Sequence, residues 1–248
     1  MSYFLLLISM DSEVGELRRS RLNWTPSERL VGQSGDAAPE DFRKRFRFLH
    51  TARESSRKGI VGCAWSHLCA LRKIVDEGLE HVVVLEDDAR LVSPLPPLTS
   101  LPTDAAVHLG GALRTPGCWL RQREEFPPAT EARVWSDLRE GLNPLKGFSI
   151  VGAEAYYVPN AAVARQILLV AEAPSTRMMA WDLFLRAHGL VRLLWFPNCF
   201  AASDAEHSQV EGRRLLRHLY ADGPRKIAVR AAAMSERRQL AARAAREA

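Results

Sequence analysis

The chain has 248 residues, 47% hydrophobic and 25% charged, an ordinary globular composition that excludes a disordered, collagen-like or disulfide-stapled chain. No stretch approaches the ~20 apolar residues of a membrane-spanning helix. The net charge of +5 is uneven: residues 209–248 hold ten Lys/Arg against four Asp/Glu, a net of +6, which leaves −1 on residues 1–208.

This asymmetry divides the chain into a near-neutral body, 1–208, and a basic helical extension, 209–248, with a break at Gly223-Pro224. A basic tail favours anionic partners such as an acidic membrane face or nucleic acid. An exposed helix with surplus arginine is the plainer reading. The four cysteines, Cys63, Cys69, Cys118 and Cys199, form no CxxC pair and complete no zinc spacing with histidine. They read as reduced, buried thiols of a cytoplasmic protein. The apolar run Phe4-Leu5-Leu6-Leu7-Ile8 is too short for a signal-peptide core and has no basic region before it.

Residues 3–9 predict a first strand, central in a sheet. Asp11 and Ser12 open a helix to about Leu22 that carries Arg18, Arg19 and Arg21. A strand passing at once into a helix begins a doubly wound α/β unit. Residues 32–39 are loop, and 42–49 alternate basic and aromatic residues without choosing between helix and strand. The run Gly-Ile-Val-Gly-Cys-Ala-Trp-Ser-His at 59–67 precedes and opens the next helix. There Ile60, Cys63, His67, Leu71 and Ile74 recur at three- and four-residue steps, so they share the face turned to the sheet. His67 on that face reads first as a buried, hydrogen-bonded histidine and second as a catalytic one. Gly59 and Gly62 at a helix start would let a phosphate approach backbone amides. That helix ends near Gly78.

His81-Val82-Val83-Val84-Leu85-Glu86-Asp87-Asp88 follows. Its β-branched run predicts a strand buried on both faces. Three acids at its end would repel one another inside a core, so they belong at the strand's carboxyl end, facing a crevice where open α/β sheets bind ligands. Hard oxygen ligands in that place suit Mg²⁺ or Mn²⁺ shared with phosphates. The alternative is a solvated acidic turn with no chemistry.

Residues 92–102 predict loop, 105–109 a short strand closed by Gly110-Gly111, and 114–146 a long irregular insert, an acceptor-binding loop or a surface excursion. Residues 147–158 look like paired short strands. Pro159 and Asn160 start a helix through Ala171. Ser175 or Thr176 caps another, with Trp181, Phe184, Leu185 and His188 inward and Asp182 beside them. Residues 191–196 predict a last strand, and 203–208 a polar loop.

The pair of segments Gly-Ile-Val-Gly-Cys-Ala-Trp-Ser-His at 59–67 and Val-Leu-Glu-Asp-Asp-Ala at 84–89 resembles glycosyltransferase family 25, which includes bacterial lipopolysaccharide galactosyltransferases and procollagen galactosyltransferases. Residues 152–158, Asp182 and 197–208 resemble later blocks of that family, so the likeness covers about residues 3–210. The first strand lacks the family's Asn-Leu dipeptide, having Ile8-Ser9-Met10-Asp11 instead, and the insert aligns with nothing.

The resemblance implies a GT-A-type, Rossmann-like mixed α/β sheet flanked by helices, a nucleotide diphosphate sugar donor (a UDP-sugar) and Mn²⁺ or Mg²⁺ at the acidic motif. It also implies inversion at the anomeric carbon. In that scheme Asp88 is the direct metal ligand, and Glu86 and Asp87 contact metal, ribose or ordered water. His207, with Asp204 behind it, supplies a second ligand. Asp182 is the base and Glu154 the reserve. Ser66, His67 and Gly62 shape the donor pocket, and Arg18 or Arg19 approaches the diphosphate. The transferred sugar is a hexose, galactose first, and the acceptor a saccharide such as lipopolysaccharide core at the cytoplasmic face of the inner membrane. Hydroxylated bases in nucleic acid, and a non-catalytic nucleotide-binding protein, are the competing readings.

Overall fold

The computed structural model describes residues 2–46, 54–115, 118–120, 138–145 and 149–202; within these, side chains at 54–56, 112–120, 149–151 and 202 are left aside. The helices are α1 (Glu13–Arg19), α2 (Glu40–Lys44), α3 (Glu54–Asp76), α4 (Ala161–Glu172) and α5 (Trp181–Ala187). The strands are β1 (Phe4–Ser9), β2 (Glu28–Val31), β3 (Val82–Glu86), β4 (Ala89–Leu91), β5 (Ala106–His108), β6 (Ala112–Thr115), β7 (Cys118–Leu120), β8 (Gly141–Pro144), β9 (Ser149–Val151), β10 (Ala155–Val158), β11 (Val191–Phe196) and β12 (Phe200–Ala202).

Seven strands form one mixed sheet in the order β2-β1-β3-β10-β5-β11-β8. β1 runs parallel to β2 and β3, and β10 runs antiparallel to β3 and β5. The valine strand therefore lies in the interior of the sheet. Val82 and Val84 pack with the helices on one face, and Val83 and Leu85 pack on the other, all four fully buried. A strand with two covered faces has no solvent side to mark with polar residues, which is why the run is unbroken. Each such side chain contributes roughly 1.5–3 kcal/mol by leaving water.

The helical face is built by α3, α4 and α5 through Leu68, Leu71, Ile167 and Phe184. Opposite them, Phe200, Leu101, Leu95 and Leu98 cover the sheet without a long helix. β4 and β12 pair as a small ribbon, and β6 joins β7 and β9 in a separate three-stranded sheet.

Several expectations hold with shifted bounds. Ser12 caps α1 by accepting from the Gly15 N–H, but the helix stops at Arg19. The undecided segment contains α2, a single polar turn before Phe46 enters the core. Asn160 caps α4, accepting from the Val163 N–H at 3.1 Å.

Other expectations are corrected. Gly59 and Gly62 lie inside α3, which already runs from Glu54, because its polar first turns carry no apolar signal to mark them. Residues 147–158 hold two strands that do not pair: β9 joins β6, whereas β10 enters the main sheet. Neither Ser175 nor Thr176 caps α5, whose preceding residue is Ala180 with no side-chain cap. The irregular insert contributes β8 at the edge of the main sheet, where Pro144 is tolerated. The basic extension, 209–248, lies outside the described residues.

Candidate active site

The three acids occupy the carboxyl end of β3 and take separate surroundings. Asp87 is buried, 2.9 Å from the Arg18 Nη1 on α1, and accepts from the Ser9 hydroxyl at 3.0 Å. Arg19, next to Arg18, donates to Ser9 Oγ and to the Met10 carbonyl. Arg18 was expected, with Arg19 as the alternative, to approach the diphosphate. Its guanidinium pairs with Asp87 inside the protein and ties the end of β3 to α1. Asp87 is held by the same pair and by Ser9.

Glu86 faces the other direction, toward α3, with its side chain 29% exposed. His67 Nε2 lies 3.0 Å from its Oε1, and the Cys63 thiol donates to the same oxygen at 3.6 Å. Cys63 and His67 are four residues apart on one helix, so both reach the same point on the sheet. The second ring nitrogen, His67 Nδ1, is 3.1 Å from the Tyr156 hydroxyl on β10. Trp181 stacks on the imidazole at 5.4 Å between centroids, tilted by only 4°. His67 is therefore the buried, hydrogen-bonded histidine of the first reading, and it is also joined to an acid of the motif.

Asp88 is buried at the start of the following turn. Asp182, in the first turn of α5, is buried too, and burial pushes its carboxyl up from the ordinary range. The Gly152 N–H, which donates to its Oδ2 at 2.9 Å, opposes part of that shift, while the negative charge of Glu86 adds to it. The Cys63 thiol is pushed well up by burial, with Glu86, Asp182 and Asp88 all contributing. One sulfur therefore senses three carboxylates brought from α5 and from the end of β3. Such crowding of like charge raises proton affinity and equally raises affinity for a cation.

Gly152 joins the two candidate bases. Its φ of +97° is a conformation that side chains rarely adopt, and a Cβ there would stand 2.2 Å from Glu154 Oε2. One face of the glycine thus meets the Glu154 carboxylate while its N–H holds Asp182. The Glu154 carbonyl accepts from the Glu86 N–H, which fixes this loop against the acidic strand.

Ser66 and Gly62 do different work from that expected. Ser66 Oγ donates to the Gly62 carbonyl and accepts from the Gln33 N–H at 2.7 Å. A Cβ on Gly62 would come 2.5 Å from the Gln33 carbonyl. Together they seat the loop after β2 against the middle of α3. Since Gly62 lies inside the helix, its amide is not an anion site at a helix start.

His207 and Asp204 lie outside the described residues. The strand before them is informative: in β12, Ala202 pairs with Ala89, the residue after Asp88. The segment that leads to 203–208 therefore departs from beside the acidic motif. Sequence reading placed Trp181 on an inward helix face but assigned no site role to it, to Tyr156 or to Ser9. Cys63 was legible, since it stands four residues before His67 on the same predicted face.

Residues 34–100 match the model of glycosyltransferase family 25 (LPS biosynthesis protein). The matching segment spans α2, α3 and β3, and so contains Cys63, His67, Glu86, Asp87 and Asp88. Arg18, Gly152, Glu154, Tyr156 and Asp182 come from outside it and are brought to it by the fold. No curated protein matches the chain. Among the described residues no helix is long and apolar enough to cross a membrane.

Proposed function

We propose that the chain is a metal-dependent, inverting glycosyltransferase of the GT-A type. It would move a hexose, galactose first, from a UDP-sugar to a saccharide hydroxyl such as that of lipopolysaccharide core. One observation carries this reading: Glu86-Asp87-Asp88 closes the interior strand β3 inside the segment that matches family 25, and the Gly152 N–H holds the buried Asp182 in the loop whose Glu154 carbonyl accepts from the Glu86 N–H.

The residues present fit a divalent cation. Carboxylates gathered in a partly buried place supply hard oxygen ligands, and their mutual repulsion is relieved by positive charge. Glu86 and Asp88 would hold Mn²⁺ or Mg²⁺, with His207 completing the set. Bound there, the cation supplies positive charge to the departing diphosphate.

The remaining work belongs to side chains. Arg18 and Ser9 keep Asp87 turned inward, which leaves Glu86 and Asp88 as the acids available to the donor. His67, clamped between Tyr156 and Trp181, fixes the Glu86 carboxylate. Asp182 takes the proton from the acceptor hydroxyl as its oxygen bonds to the anomeric carbon and the bond to the diphosphate breaks. A carboxyl with a raised pKa suits that task, since an effective base titrates near working pH. Glu154, across Gly152, is the second candidate.

The test is a panel of nucleotide sugars offered with Mn²⁺ and oligosaccharide acceptors, read by release of nucleotide diphosphate and by product mass. Transfer from a UDP-hexose supports the reading. Absence of both transfer and donor hydrolysis across the panel, by protein shown to be folded, overturns it.

A further inference from the structure

The cluster of Cys63, His67 and Glu86 has a composition that a hard-cation site does not need. Their ligand atoms all lie within 4.8 Å of one another. Sulfur, imidazole nitrogen and carboxylate oxygen together form a borderline donor set, the kind that selects zinc over magnesium or manganese. We propose that these three residues form a binding site for Zn²⁺, distinct in ligand set from the carboxylate site of the transfer reaction and sharing Glu86 with it.

Geometry supports the proposal first. In a tetrahedral zinc site, bonds of about 2.0–2.3 Å put neighbouring ligand atoms about 3.3–3.6 Å apart. The Nε2–Oε1 separation is 3.0 Å and the Sγ–Oε1 separation is 3.6 Å, so little movement is needed to admit an ion. The ligands also stand on rigid elements. Cys63 and His67 occupy successive turns of a 23-residue helix, and Glu86 ends an interior strand. Three protein ligands leave a fourth position for water or a substrate oxygen.

The surroundings supply the second support. A histidine that binds metal through one ring nitrogen is usually oriented by a hydrogen bond at the other. Here Tyr156 sits at Nδ1 and Trp181 lies flat on the ring. Nε2 faces the Glu86 carboxylate and Nδ1 the Tyr156 hydroxyl. On binding, Nε2 bonds to zinc and the ring proton sits on Nδ1, where it donates to the tyrosine oxygen. The Cys63 thiol loses its proton to solvent as the sulfur–zinc bond forms.

The site stands independently of the transferase reading, because its test reads coordination and not turnover. The metal-free, full-length protein is titrated with Co²⁺ as a spectroscopic stand-in for Zn²⁺. The expected result is a thiolate-to-cobalt charge-transfer band that saturates at about one equivalent and is bleached by Zn²⁺. The band should be lost in Cys63→Ser and kept in Cys69→Ser, Cys118→Ser and Cys199→Ser. No band in the wild type, or a band retained in Cys63→Ser, overturns the site. Should Cys63→Ser fail to fold, zinc-edge X-ray absorption on the wild type decides together with the three other serine variants. One sulfur in the first coordination sphere, unaffected by those variants, supports the site. A sphere of oxygen and nitrogen alone overturns it.

Discussion

Gly152 donates its N–H to Asp182 at 2.9 Å while the place of its missing Cβ lies 2.2 Å from the Glu154 carboxylate. A single glycine thus meets two buried acids. Gly152→Ala should cost about 1–3 kcal/mol, from the strained φ and the displaced carboxylate. Under the proposed mechanism it should also lower kcat by at least about tenfold, because the strained backbone shifts the N–H that positions Asp182. Urea denaturation and steady-state kinetics on the same preparation check both effects.

Asp182→Asn separates catalysis from folding. Its carboxyl is raised, so the folded protein holds the proton more tightly than the unfolded chain does. The stability this contributes is fully present at low pH and is lost as pH rises through the raised value. The asparagine escapes that loss and still accepts from the Gly152 N–H, so its Tm at neutral pH should match or exceed that of the wild type. Transfer should fall by about 10²–10⁴-fold. In the wild type, the acid limb of the rate profile should lie above the ordinary carboxylate range. Calorimetry and a pH–rate profile test the two halves separately.

The Arg18–Asp87 pair is buried on both sides, at 9% and 8% side-chain exposure. Arg18→Met alone should destabilise by about 3–5 kcal/mol, because it strands the Asp87 charge. Combining it with Asp87→Leu should recover much of that loss, since two apolar groups leave no buried charge. Denaturant midpoints for the two single variants and the double variant measure the coupling.

His108 gives an acid-stability signature. It is buried on β5, and burial pushes its pKa from 6.5 down to about 4. A depressed histidine favours the folded state above the unfolded value, and that stability is lost as pH falls from about 6.5 toward 4. The loss approaches about 3 kcal/mol. His108→Leu cannot accept the proton, so its stability should fall less over this window. Denaturation at pH 7 and again at pH 4.5 reveals the difference in slope.

Much of the site was legible in local pattern. An unbroken β-branched run ending in acids marked an interior strand and its acidic end, and helical spacing put Cys63 and His67 on an inward face with Asp182 beside another. These signals arise within a few residues, where periodicity reports burial directly. What stayed hidden depends on contacts between distant residues. Arg18 meets Asp87 across 69 positions and His67 meets Tyr156 across 89, and no local rule encodes either pairing. The start of α3 was misplaced because its opening residues are polar. The bracket at Gly152 could not be read either, since a positive φ and a neighbouring carboxylate leave no periodic trace. The tail and His207 lie outside the described residues.

The most direct measurement is hexose transfer by the intact chain before and after chelation, with wild type beside Asp88→Asn. The proposed function requires wild-type turnover to vanish with the chelator and return with Mn²⁺. It also requires Asp88→Asn to transfer about 10²-fold or more slowly while its circular dichroism is unchanged. Transfer that persists through chelation, or an Asp88→Asn protein with full metal-dependent turnover, would contradict it.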